Sequence, residues 1–200
     1  MDQLLGFVHL GFRHIVNPEA LDHILFLLAL AAIYRGRDWR SSLWVISAFT
    51  VGHSMTLALA ATQTVVIPQR LVEFLIPLTI VATGLENIMV RTRLAGTIPP
   101  YRPVFAGVFG LVHGAGFAGY LQRLFLGPVV VPLLGFNIGI ELGQVVVLAA
   151  AGAALLGLDR VLSMKRGLGG VSSIFRLRVV MVSLVVVAVA TRMAVARLPW

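Results

Sequence analysis

Apolar residues in this chain gather into runs long enough to cross a bilayer, each broken by one or two polar side chains and separated from the next by short polar stretches. A spanning helix needs about 20 such residues. The runs predict six membrane-spanning helices at 18–34, 41–62, 68–91, 102–122, 129–157 and 174–195. Ahead of them, "LLGFVHLGFRHIV" is too short and too polar to cross, and predicts a short interfacial or re-entrant helix. Asn17-Pro18-Glu19 predicts the start of the first span, with Asn17 as N-cap, Pro18 at the first helical position and an acid in the first turn. The expected fold class is all-α, a polytopic membrane helix bundle forming a single domain over 1–200. Within it, 1–157 carries the polar residues, and the linker containing "GLGGVSS" sets the last span, 174–195, slightly apart.

Composition supports the pattern. The chain has 200 residues, 58% of them hydrophobic and 12% charged, with a mean hydropathy of +0.95. Soluble domains carry about 25% charged residues. A net charge of +8 would suit nucleic acid, but the cations lie in loops between apolar runs, so no nucleic-acid partner is expected. Arg35, Arg37 and Arg40 fall in one loop, Arg91, Arg93 and Arg102 in another, and Arg160, Lys165, Arg166, Arg176 and Arg178 around a third. The alternate loops hold Arg123 alone. Positive-inside logic then puts both termini on the extracytoplasmic side. Without cysteine, disulfides and thiolate metal sites are excluded. The first residues lack a basic region and a small-residue cleavage site, so no cleaved signal peptide is expected.

The candidate chemistry lies in the residues that break the apolar runs. "NPEALDHILFLLALAAIY" opens the first span with Asp22 and His23, and His14 stands in the short segment before it. "FTVGHSMTLALA" buries His53 with Thr50 and Ser54, and "VFGLVHGAGFAGYL" buries His113. In "GFNIGIELGQVVV", Asn137, Glu141 and Gln144 follow at i, i+4 and i+7 and share one helical face. At about 1.5 Å per residue, His53, His113, Asn137 and Glu141 fall between the middle and outer third of the bundle, Asp22 and His23 lie in the outer leaflet, and His14 sits in the short segment that packs across the outer ends. They are expected to share one chamber open to the outside. Glu86 and Asn87 of "GLEN" lie deeper and read as a second station or inner gate. Ridges of small residues, Ala106, Gly110, Gly114 and Ala118 in one span and Gly135, Gly139 and Gly143 in the next, predict that these two spans pack on each other.

Plainer readings exist for each residue alone. A lone membrane histidine is usually an interhelical hydrogen-bonding group. His9 reads as interfacial and Glu73 as a solvated cap, and Asp22 could simply complement a helix N-terminus for about 0.3–1 kcal/mol. The group as a whole needs more, because an ionisable side chain at the centre of a span costs about 2.5–3.5 kcal/mol even on the gentlest scale. A functional site is therefore expected, with metal ligands drawn from His14, Asp22, His23, His53, His113 and Glu141. Ser54, Asn137, Gln144, Glu86 and Asn87 would support it or line a pathway. Imidazole with carboxylate suits Ni²⁺, Co²⁺, Zn²⁺ or Cu²⁺, and spacing alone does not choose among them.

"DHILFLLAL", "FTVGHSMTLALA", "GLEN", "FGLVHGAGFA" and "FNIGIELGQ", in that order, resemble the HupE/UreJ family of bacterial membrane proteins, and most closely its second subgroup. The resemblance implies a protein of the bacterial inner membrane acting in nickel or cobalt uptake as a secondary permease. It also implies that the histidine followed by Asp-His, required in those relatives, is His14 with Asp22 and His23. Two departures from the nickel pattern stand out. The gap before Asp22 is seven residues rather than five, and the fourth-span motif has His113 without a second histidine and acid.

Three functions follow. A permease would capture a divalent cation at His14, Asp22 and His23, pass it to His53, His113 and Glu141, and release it past Glu86 and Asn87. An intramembrane zinc hydrolase, ceramidase-like at the level of fold, would use Ser54 to polarise substrate and Glu141 or Asp22 as base. A non-catalytic assembly factor would use the same groups as interhelical glue. The permease is the leading reading, with the lipid bilayer and a metal ion as partners, and assembly into a homo-oligomer is compatible with it.

Overall fold

The computed structural model describes the chain except at residues 1, 35–37, 63, 65–67, 91–98, 125–129, 165–170 and 200, with side chains also undescribed at 2, 61, 118–124 and 171–172. The described residues form seven helices and no strand: α1 (Asp2–Val16), α2 (Leu21–Ile33), α3 (Trp39–Ala61), α4 (Gln69–Val90), α5 (Arg102–Leu124), α6 (Val130–Met164) and α7 (Val171–Ala196). Among them α3, α4, α6 and α7 are long and apolar enough to cross a membrane. α1 and α2 pass the same test only as a pair, bent by 70° at the break between them, and would make a fifth span. Most of the loop residues used to orient the chain, including Arg35, Arg37, Arg91, Arg93, Lys165 and Arg166, lie outside the described residues.

The chain breaks where the sequence predicts a cap, but by a different local structure. Asn17 donates its backbone N–H to the Arg13 carbonyl and so ends α1. Its side-chain Oδ1 accepts the Glu19 N–H at 3.1 Å, an Asx turn rather than an N-cap. α2 then begins at Leu21, with Ala20 in the cap position and no side-chain cap. The expectation of Asn17 as cap and Pro18 as first helical residue therefore gives way to a turn that redirects the chain.

α2 is apolar nearly all round, as a helix surrounded by others must be, and nine of its 13 residues are buried. It packs against α1, α4, α6 and α7. The closest partnerships are α3 with α5, α1 with α6, and α4 with α7. Glycines set the first two. A Cβ on Gly110 or Gly114 would strike the backbone of Phe49 or His53, so α5 lies directly on α3. On α6, Gly135, Gly139 and Gly143 meet Leu4, Val8 and the Phe12–Ile15 turn in succession, so α1 and α6 run in the same direction. The two small-residue ridges were expected to pack on each other, and they do not. A ridge of small residues specifies close approach but not which helix approaches.

The C-terminal end of α2 is held by side chains from other helices. Asn87 Nδ2 donates to the Ala29 carbonyl at 2.7 Å. Arg178 Nη2 reaches the Ala32 and Tyr34 carbonyls at 3.3 Å each while its other terminal nitrogen pairs with Asp159. The Arg178 contacts satisfy carbonyls that a helix end leaves without partners and put a cation at the negative end of its dipole.

Candidate metal centre

The 70° bend gathers the chemistry. His14 stands in the last turn of α1 and His23 in the first turn of α2, so the break between them turns one ring toward the other. Their ring centroids are 4.6 Å apart. The third ring comes from α3, where His53 lies at the glycine contact with α5, with its centroid 6.2 Å from His14. One ring nitrogen from each of His14, His23 and His53 lies within 4.8 Å of the others. His113, from α5, stands beside the trio with its ring 5.7 Å from His23.

Hydrogen bonding leaves the same edge of these rings open. His23 Nδ1 donates to Asp22 Oδ1 at 3.0 Å, and the same carboxylate oxygen accepts the His23 backbone N–H at 2.9 Å. His113 Nδ1 donates to the Phe109 carbonyl at 2.9 Å. With Nδ1 carrying the proton, Nε2 of each presents a lone pair. The Nε2 atoms of His14, His23 and His113 and both ring nitrogens of His53 are buried without a hydrogen-bond partner among the described residues. An unsatisfied buried polar atom costs about 1–3 kcal/mol, so this many in one place would be a heavy burden without a ligand. A carboxylate or carbonyl on Nδ1 with Nε2 directed inward is the usual orientation of metal-ligating histidines.

Aromatic rings wall the cluster. Phe117 lies 4.1 Å from His14, and Phe136 stacks on Phe117 at 5.2 Å. Phe49 lies 5.0 Å from His113 and 6.0 Å from His53. Such apolar surroundings strengthen any charge–dipole or charge–charge interaction inside. In sequence these phenylalanines are indistinguishable from lipid-facing or core residues, and only the histidines flag the place.

The other candidates are placed as follows. Asp22 stands behind His23, oriented toward its Nδ1 rather than toward the open edge. Glu141 lies on the exposed side of α6, outside the cluster. It is two residues from both Gly139 and Gly143, hence nearly opposite the ridge that faces α1. Its stripe mates turn inward instead. Asn137 is half-buried, with Oδ1 buried and unpaired among the described residues, and Gln144 is 1% exposed and accepts the Thr50 hydroxyl at 3.1 Å. Ser54 donates to the Thr50 carbonyl at 2.6 Å. Glu86 and Asn87 are engaged by Arg102, which ion-pairs with Glu86 and donates to Asn87 Oδ1 at 2.6 Å, while the Tyr101 hydroxyl also reaches Glu86. Glu73 is exposed and accepts from Gln69, and His9 is exposed. Arg102 and Arg178, counted in the sequence as loop cations, are in fact 5% and 4% exposed.

A comparison with family profiles matches residues 1–197 to the HupE / UreJ protein family, and the chain belongs to that family. No match is found among curated proteins or among solved structures.

Proposed function

We propose that this HupE/UreJ protein binds a divalent transition metal inside the membrane through His14, His23 and His53, and that it acts as a permease of the nickel/cobalt type. The observation that carries the reading is the convergence of three imidazoles, His23 and His53 buried and His14 half-buried, each with a ring nitrogen within 4.8 Å of the others and a buried Nε2 that lacks a hydrogen-bond partner among the described residues. The family's link to nickel and cobalt transport supports it. Asp22 would fix the tautomer of His23, and His113 would offer the next donor along the route. In this reading the chain crosses the bacterial inner membrane six times with both termini outside. The donors are neutral imidazoles, so protons compete with the metal and uptake falls as the medium is acidified.

Purified protein should bind Ni²⁺, Co²⁺ or Zn²⁺ at one site per chain by titration calorimetry, and proteoliposomes should accumulate the bound metal. His23→Ala and His53→Ala should abolish both. Uptake that survives both substitutions would refute the permease, and binding that survives them would refute the centre.

A zinc hydrolase is the second reading, because three histidines with a fourth position for water are a catalytic zinc donor set. The engagement of Glu86 and Asn87 by Arg102 also weakens the polar inner route that transport would use. Asp22 is the acid nearest the trio in this scheme. Metal-dependent hydrolysis of a lipid amide or ester, in protein that accumulates no metal, would favour it.

A further inference from the structure

On the face of α6 opposite its glycine ridge, a cavity of about 740 Å³ opens between α3, α6 and α7, with α2 as its floor. That volume falls within the about 300–1,000 Å³ typical of small-molecule sites. Its lining changes character along α6. Val145, Leu148, Leu155 and Leu156 form an apolar stretch about 16 Å long. Asp159, Arg160 and Ser163 follow at the end, with Arg178 opposite on α7. A long apolar trough closed by charge at one end has the shape of an amphiphile.

The charges there are not equivalent. Arg178 is already committed to Asp159 and to the Ala32 and Tyr34 carbonyls. Arg160 lines the same end from an exposed position and adds positive charge that Asp159, paired with Arg178, does not cancel. Trp39, 56% exposed, lines this end too, with the Arg40 guanidinium 5.3 Å from its ring centre. Tryptophan and arginine together mark the headgroup level of a bilayer. The apolar stretch is open at the side, where Val145 and Leu156 are exposed. The α6 wall is free at one point as well: a Cβ at Gly152 would meet nothing within 4 Å among the described residues.

We propose that this trough holds one acyl chain of an anionic phospholipid from the surrounding bilayer, with the headgroup phosphate against Arg160. The site stands apart from the histidine cluster, requires only that the helices lie in a membrane, and survives if the metal reading fails.

Native mass spectrometry of the full chain, released from mild detergent with phosphatidylglycerol or phosphatidylcholine, tests it. The protein should retain one phosphatidylglycerol in preference to phosphatidylcholine. Gly152→Phe should fill the trough and lose the lipid, whereas Gly157→Phe, at a second open glycine of α6 outside the trough, should keep it. Arg160→Ala should still take up lipid, with its preference for phosphatidylglycerol reduced about fivefold. Equal retention of the two lipids by the unsubstituted protein would overturn the proposal. So would lipid retained undiminished by Gly152→Phe, or a dimer that buries the trough and carries no lipid. Should Gly152→Phe fail to fold, an unchanged lipid preference in Arg160→Ala alone refutes it.

Discussion

Among the described residues His53 leaves both ring nitrogens buried without partners, whereas His23 and His113 each tie down Nδ1 and free only Nε2. That difference separates two substitutions. Asp22→Asn keeps the volume of the side chain but replaces the carboxylate that accepts from His23, and loss of such an outer partner typically costs about 10–100-fold in metal affinity. Titration calorimetry should show that loss with little change in folding. His53→Leu should abolish metal binding yet leave the metal-free protein as stable or more so, by up to about 1–3 kcal/mol per unpaired nitrogen removed. Thermal melting in detergent without metal checks the sign. The histidines were legible in the sequence because a polar ring inside an apolar run is conspicuous. Glu141 was equally conspicuous, but helical spacing defines a stripe without saying which edge of it faces inward. The glycines beside it decide that.

At the level of elements, the proposed centre depends on helices pressed together where they lack side chains. Gly110 meets the Phe49 carbonyl and the His53 amide, so the position of His53 is set by the α5 surface beneath it. Gly110→Val should force α3 away, costing about 1–3 kcal/mol as overpacking typically does and weakening metal binding together with stability. Chemical denaturation and metal titration of the same variant measure both. The sequence correctly predicted that these ridges promote close packing and mispaired them, because small residues carry no information about their partner. The break between α1 and α2 was half legible. The short, polar opening segment announced a separate helix, but Asn17 and Pro18 suit a turn as well as a cap, and only the observed hydrogen bonds distinguish the two.

For the whole molecule, α2 is the axis, with cluster histidine His23 at one end and a cationic clamp at the other. Arg178→Leu removes that clamp and strands the Asp159 carboxylate. Leaving one half of a fully buried ion pair costs about 3–5 kcal/mol; with the Asp159 carboxylate 27% exposed the loss should fall below that range, and Asp159→Asn in the same chain should recover part of it. Guanidinium unfolding of the single and double variants checks both claims. Nothing in the sequence separates Arg178 from the other cations around the 158–178 linker, since burial of a charge near a helix end depends on the carbonyls that happen to lie opposite. The described helices are compatible with a lipid bilayer, and their number and order follow closely from the apolar runs.

His14 and His23 belong to two rods joined at an elbow, and no single rigid helix carries both. Their separation is therefore a function of the elbow's angle: folding it further brings the rings together, and straightening it parts them. Any ion gripped by both would resist extension of that joint, and any force that extended it would loosen the grip.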